Sequence, residues 1–304
     1  MASQQQLIKL AVCEYISKYG LQKLVEDAVN QCYKKQAQNP TAFFSNYFAQ
    51  KTNSQAVAKV VGREILDSRG NPTGGGDVYC GEQLAGRASA PSGASTGSNE
   101  AKELRDNDKS RYLGKGTLKA VQNVNGPLND ALKGKSVDNL RECDDAMKTK
   151  DGTELKEVLG GNAITAASFA IATAGARIAQ EELFLYLARQ YAPKQEEEEQ
   201  KFRLPTPLVN ILNGGKHAGG KLKIQEFMIV PRSDVTFREQ LRIVTEVYHH
   251  LGSIVTKTKG KSAKNVGDER GYPPNMSTSD EALGAIEDAI KGTGLKLARN
   301  LNSF

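Results

Sequence analysis

The hydrophobic period of this chain changes near residue 56, and that change limits the folds open to it. Over residues 5–50 the apolar positions Leu7, Leu10, Val12 and Ile16, then Leu21, Leu24, Val25, Ala28 and Val29, recur at the spacing of one helix face. Gly20 separates the two helices. "NPTAFFSNYF" begins a third, with Asn39 as cap, Pro40 at the first helical position and Phe43, Phe44, Tyr47 and Phe48 on its apolar face. Three short helices bury little area alone, so this segment is expected to dimerise or to dock on the rest of the chain. Residues 50–55 read as a linker. From Val57 the pattern becomes short strands and turns: "VVGREIL", the turn signal Gly70-Asn71-Pro72, "DVYC" and "LAGRASA" predict a small antiparallel sheet.

A helical region is expected from about Asn99 to Tyr191, followed by four glutamates, Glu196 to Glu199, in an exposed connection. Within it "NAITAASFAIATAGARIA" is Ala-rich and interrupted by Thr, Ser, Asn and Arg, which suits a buried helix rather than a membrane span. "TPLVNILNGGKHAGG" then reads as a strand entering a Gly-rich loop, and "LKIQEFMIVP" as an alternating strand. "FREQLRIVTEVYHHLGSIV" and "SDEALGAIEDAI" read as amphipathic helices, the second with Ser279 as N-cap and Glu281 in its first turn. Strand, loop, helix and strand in succession indicate the start of an α/β barrel or sheet.

Composition narrows the function. A chain of 304 residues accommodates two or three domains. Cys13, Cys32, Cys80 and Cys143 form no C-x-x-C pair, which argues against a disulfide framework and a zinc site and for a reducing, cytoplasmic setting. The N-terminus lacks the basic and apolar regions of a secretion signal. The net charge of +6 favours anionic partners. Even so, the basic run "TKTKGKSAK" contains no aromatic residue to stack on a base, so neither nucleic acid nor membrane is expected as a partner.

Six blocks carry the chemistry: "DSRGNPT", "PSGASTGSNEAKELRDNDKSRYLGKG", "LGGNAI", "LVNILNGGKHAGGKLKIQEFMIVP", "VYHHL" and "NVGDERGYPPN". In this order they resemble enolase, the lyase that dehydrates 2-phosphoglycerate to phosphoenolpyruvate in glycolysis. The resemblance implies an α/β plus α+β fold. Residues 1–55 would be a helical extension, 56–200 a small antiparallel and helical capping domain, and 201–304 the first part of an eight-stranded barrel, with the active site at the carboxyl ends of its strands. It also implies a homodimer and two Mg²⁺ ions that stabilise the developing dianion.

By position, Ser95 matches a loop serine that ligates the second Mg²⁺ on closure, with Gly70, Gly93 and Gly97 permitting the motion. His217 matches a loop histidine that closes over the substrate phosphate. Glu226 matches a carboxylate that orients the leaving hydroxyl, and Glu269 the general acid that protonates it. Read without the family, Ser95 is a turn residue, His217 an exposed loop histidine, Glu226 a strand carboxylate and Glu269 an ion-pair partner for Arg270. His249 and His250 read as packing or surface residues of a helix.

Four departures from the family pattern stand out. Gly74, Gly75 and Gly76 remove strand side chains, including an interface glutamate at Gly75, which should weaken strand and dimer alike. Lys216 replaces a small residue, and Arg270 replaces a glycine, setting a cation beside the acid. Asn300 stands where the family has an aspartate ligand of the first Mg²⁺ and lacks the charge that holds a hard dication. With the base lysine and the other metal carboxylates also missing, the 304-residue chain by itself is expected to be inactive. The alternative is a non-catalytic scaffold. Its first 55 residues are similar in apolar spacing to the helical docking modules of ciliary and sperm-tail proteins, and to the extension of sperm-type enolase-like proteins, or else form an extension packed on the capping domain.

Overall fold

The computed structural model describes residues 12–18, 20–52, 55–93, 95–191, 202–215, 221–267 and 269–297. The chain divides into two compact units, 1–195 and 196–304.

The first unit opens with helices. Residues 12–18 form α1, Gly20 turns the chain with φ +60°, and α2 spans Leu21–Lys34. α3 covers Pro40–Thr52, capped by the Asn39 side chain, which accepts from the Ala42 N–H at 3.0 Å. It therefore runs into the segment expected to be linker. Ala28, Cys32 and Tyr47 are buried in this helical segment, and the Tyr47 hydroxyl donates to Asp27.

Three strands follow, β1 (Val57–Leu66), β2 (Pro72–Cys80) and β3 (Gln83–Ser89), antiparallel with β2 in the centre. The glycines of "NPTGGG" do not prevent the central strand. A Cβ on Gly76 would stand 2.8 Å from the Ala166 carbonyl, and one on Gly86 would overlap the backbone at Ala170 and Ala174. Both glycines let the buried helix α7 (Gly161–Ala179) lie close against the sheet. Alternate residues of β2 face opposite ways. Val78 joins Val60, Leu128, Leu132 and Ile171 in the core, whereas Asp77 takes the guanidiniums of Arg63 and Arg87 at 2.8 and 2.7 Å.

The helices begin later than the expected Asn99. Residues 99–111 are irregular because Asp106 turns back to accept the N–H groups of Leu118 and Lys119 at 2.9 and 2.8 Å, capping α4 (Leu118–Asn123). A π-type turn, Val124–Leu128, holds Pro127 and leads into α5 (Asn129–Leu132). Then come α6 (Leu140–Asp151), α7 and α8 (Leu183–Tyr191). Glu196 to Glu199 lie outside the described residues.

The second unit begins with β4 (Val209–Asn213), paired antiparallel with the short β5 (Glu226–Ile229). A single parallel bridge joins Leu212 to Tyr272. Two helices cover one side, α9 (Phe237–Lys259) and α10 (Ser279–Gly292). They pack Val247, Leu251, Val255, Ile286 and Ala289 against Ile211, Leu212 and Phe227. The cap of α10 is Thr278, whose hydroxyl accepts from the Glu281 N–H at 3.2 Å; Ser279, the expected cap, is the first helical residue. Among the described residues no helix is long and apolar enough to cross a membrane. The architecture is α/β plus α+β: a helical segment, a small capping domain and the start of a barrel-like sheet.

Candidate functional site

In the first unit the loop carrying Ser95 is tied down at its entry. Asp67 accepts from the backbone N–H groups of Asn71 and Arg69, each at 2.8 Å, and from the Arg69 guanidinium at 3.1 Å. These contacts, led by the Asn71 N–H, hold its carboxyl below the ordinary range. The same guanidinium donates to the carbonyls of Ser92 and Gly93 at 2.8 and 3.2 Å. Beyond that point Glu100 accepts the Gly97 N–H at 2.8 Å, and Ser95 is exposed between the two anchors.

In the second unit the two candidate carboxylates are reached from one strand. A regular strand places residues three apart on opposite faces. β4 carries an irregularity between Asn210 and Leu212, so that Asn210 pairs with Met228, Leu212 with Phe227 and Asn213 with Glu226. Directly opposed residues share a face, and the bulge at Ile211 therefore brings Asn210 and Asn213 to the side of Glu226 and Met228. Phe227 and Leu212 turn to the helix-covered side and are buried, whereas Met228 is 44% exposed.

Glu269 sits on a turn attached to the same strand. Asn213 N–H donates to the Tyr272 carbonyl at 2.8 Å and Tyr272 N–H to the Ile211 carbonyl at 3.1 Å. The Gly267 N–H donates to the Gly271 carbonyl and the Arg270 N–H to the Gly267 carbonyl, closing the turn at 3.1 and 3.0 Å. The Asn210 amide donates to the Glu269 main-chain carbonyl at 2.8 Å. Tyr248 of α9 stacks on the Tyr272 ring with centroids 4.2 Å apart, and its hydroxyl donates to the Arg270 carbonyl at 3.3 Å.

Arg270 takes a left-handed backbone, φ +68°, the conformation for which the glycine expected there is suited. Its side chain is exposed, and among the described residues it makes no ion pair with Glu269. His249 and His250 are exposed on α9. Lys216, His217 and Asn300 lie outside the described residues.

The implied Mg²⁺ does not find its ligands in what is described. Among those residues no group of three or more His, Cys, Asp and Glu side chains gathers to hold a metal ion, and a hard dication needs several oxygen donors. What the second unit does assemble is two carboxylate-bearing segments bound to one short strand. Sequence reasoning missed Asn210 and Asn213, although "VNILN" signalled them: two amides three apart in an apolar strand can share a face only across a bulge.

Two family models match the chain in succession. Residues 57–187 match the family model "Enolase, N-terminal domain". Residues 201–302 match "Enolase, C-terminal TIM barrel domain". With most of its length covered by these two adjoining matches, the chain belongs to the enolase family.

Proposed function

We propose that this protein carries the acid and hydroxyl-orienting half of an enolase-type site acting on 2-phosphoglycerate, with residues 56–200 as capping domain and 201–304 as the start of the barrel. In the enolase reaction a residue at the position of Glu269 would give its proton to the departing β-hydroxyl, which leaves as water, while one at the position of Glu226 orients that hydroxyl. By resemblance, His217 would bind the substrate phosphate and Ser95 would ligate the second Mg²⁺. The carrying observation is the attachment of both segments to β4: Glu226 faces Asn213 across the strand pair, and the Glu269 carbonyl accepts from Asn210. In this family Mg²⁺ would supply charge stabilisation of the intermediate.

The same polypeptide is proposed not to dehydrate 2-phosphoglycerate by itself, because Asn300 offers a neutral amide where the resemblance places an anionic ligand. The assay is phosphoenolpyruvate formation across a Mg²⁺ titration, together with 2-phosphoglycerate-dependent shifts of the Glu226 and Glu269 carboxyl resonances. No turnover, with substrate-dependent shifts at both carboxyls, is the expected result. Turnover that falls about 100-fold or more in Glu269→Gln would overturn the inactivity. Carboxyls indifferent to substrate would overturn the lyase site.

A second reading, a non-catalytic scaffold of cytoplasmic, ciliary or sperm-flagellar setting, is supported by α2. Leu24, Ala28 and Cys32 lie on one helical stripe, with Ala28 and Cys32 buried. The adjoining stripe Val25, Val29 and Tyr33 is 51%, 50% and 77% exposed. Together they give an apolar sector of about 180°, wider than the roughly 100° that one partner face requires. Residues 1–55 are thus proposed to pair with a second copy, making the protein a homodimer.

A further inference from the structure

Asn210 and Asn213 do more than fill a strand. The Asn213 side chain is fully buried, and its Nδ2 donates to the Gln225 carbonyl at 3.3 Å, beside the Gly214 N–H that reaches the same oxygen at 2.9 Å. Gln225 immediately precedes Glu226, so this amide grips the backbone from which the first carboxylate projects. Asn210 grips the second through the Glu269 carbonyl. The amide oxygens of both asparagines are buried, and among the described residues they accept no hydrogen bond.

A buried carbonyl without a donor is unfavourable, and an aliphatic side chain would fill the strand without it. Gly271 follows the same logic. A Cβ there would stand 2.5 Å from Asn213 Oδ1, so the turn carrying Glu269 seats directly on the asparagine. We infer that Asn210 and Asn213 are positioning residues that hold Glu226 and Glu269 in one frame and offer two neutral acceptor oxygens on the face of Glu226. This assignment rests on the proposed lyase reading.

The test is ¹³C NMR titration of the carboxyl groups in the Glu-labelled 304-residue protein, with resonances assigned through Glu226→Gln and Glu269→Gln. Asn213→Asp keeps the shape but replaces the donor by a like charge, and is expected to raise the Glu226 midpoint by about one pH unit. Asn213→Leu and Asn210→Leu should shift the Glu226 and Glu269 resonances respectively, with Glu239 and Glu246 of α9 unmoved as internal references. Midpoints and resonances equal to wild type, in variants that keep the native far-UV CD spectrum, would overturn the assignment. Loss of the fold in every variant, including Asn210→Ser and Asn213→Ser, would overturn it too by making both residues structural locks. Because the readout is the carboxyl groups themselves, a failure of 2-phosphoglycerate to bind or react cannot be mistaken for a failure of the positioning role.

Discussion

Asp77 shows how a single residue ties a strand pattern to a pH response. It is 3% exposed, and the hydrogen bond from Arg87, followed by that from Arg63, holds its carboxyl below the ordinary range against the opposing effect of burial. A carboxyl depressed in the folded state stabilises the fold fully above its unfolded value, and that contribution is lost as pH falls through the folded value. The expected result is a stability, read as the urea midpoint, that declines below about pH 4, with a shallower decline in Asp77→Asn. Because both guanidiniums are partly exposed and screened, the substitution should cost only about 1 kcal/mol at neutral pH. Identical acid profiles for the two proteins would remove Asp77 as the source. Burial, which also works to raise the Asp77 carboxyl, prevails at Cys80 and Cys143, whose thiols are pushed up to about 11. Both are expected to remain unmodified by a thiol reagent at neutral pH until the protein unfolds.

At the scale of the element, the glycines of the first sheet separate into two kinds. Gly76 and Gly86 stand where the backbone of α7 approaches the sheet, whereas a Cβ on Gly75 would meet its nearest atom, Ile65 Cδ1, at an ordinary 3.5 Å. Gly86→Ala should therefore destabilise by about 2 kcal/mol or more, since the added methyl forces helix and strand apart. Gly75→Ala should be neutral or stabilising by up to about 1 kcal/mol, because glycine in a strand interior carries an entropic penalty. Thermal unfolding of the two variants decides it, and equal losses would contradict the distinction. From the sequence all three glycines of "NPTGGG" looked like a weakness in a strand. Only the packing of α7 separates Gly76, where close approach requires the missing side chain, from Gly75, where it does not.

At the scale of the whole molecule the open question is what covers α2. A second copy seated on Val25, Val29 and Tyr33 predicts a concentration-dependent dimer by sedimentation that becomes a monomer when residues 1–55 are deleted and in Val29→Asp. Buried against a partner, that charge would lack compensation, whereas on an exposed stripe it would be almost neutral. A deleted protein that sediments as an equal dimer would exclude this segment as the interface.

Much of the chain was legible before its structure. The helix at Pro40 with its Asn39 cap, the turn at Gly70, the Ala-rich α7 and the ordered blocks of the family are local signals, set by spacings of two, three or four residues and by the φ preferences of glycine and proline. These determined the element types and the family. The start of the helices beyond residue 99 and the cap of α10 moved because side chains compete for backbone groups, as Asp106 and Thr278 do. What only the tertiary structure decided was the face of each strand residue. One bulge at Ile211 reverses the side on which Asn213 would otherwise stand relative to Asn210, and nothing within the strand announces it, because register is set by the partner strand and by the Tyr272 segment bridged to the other edge.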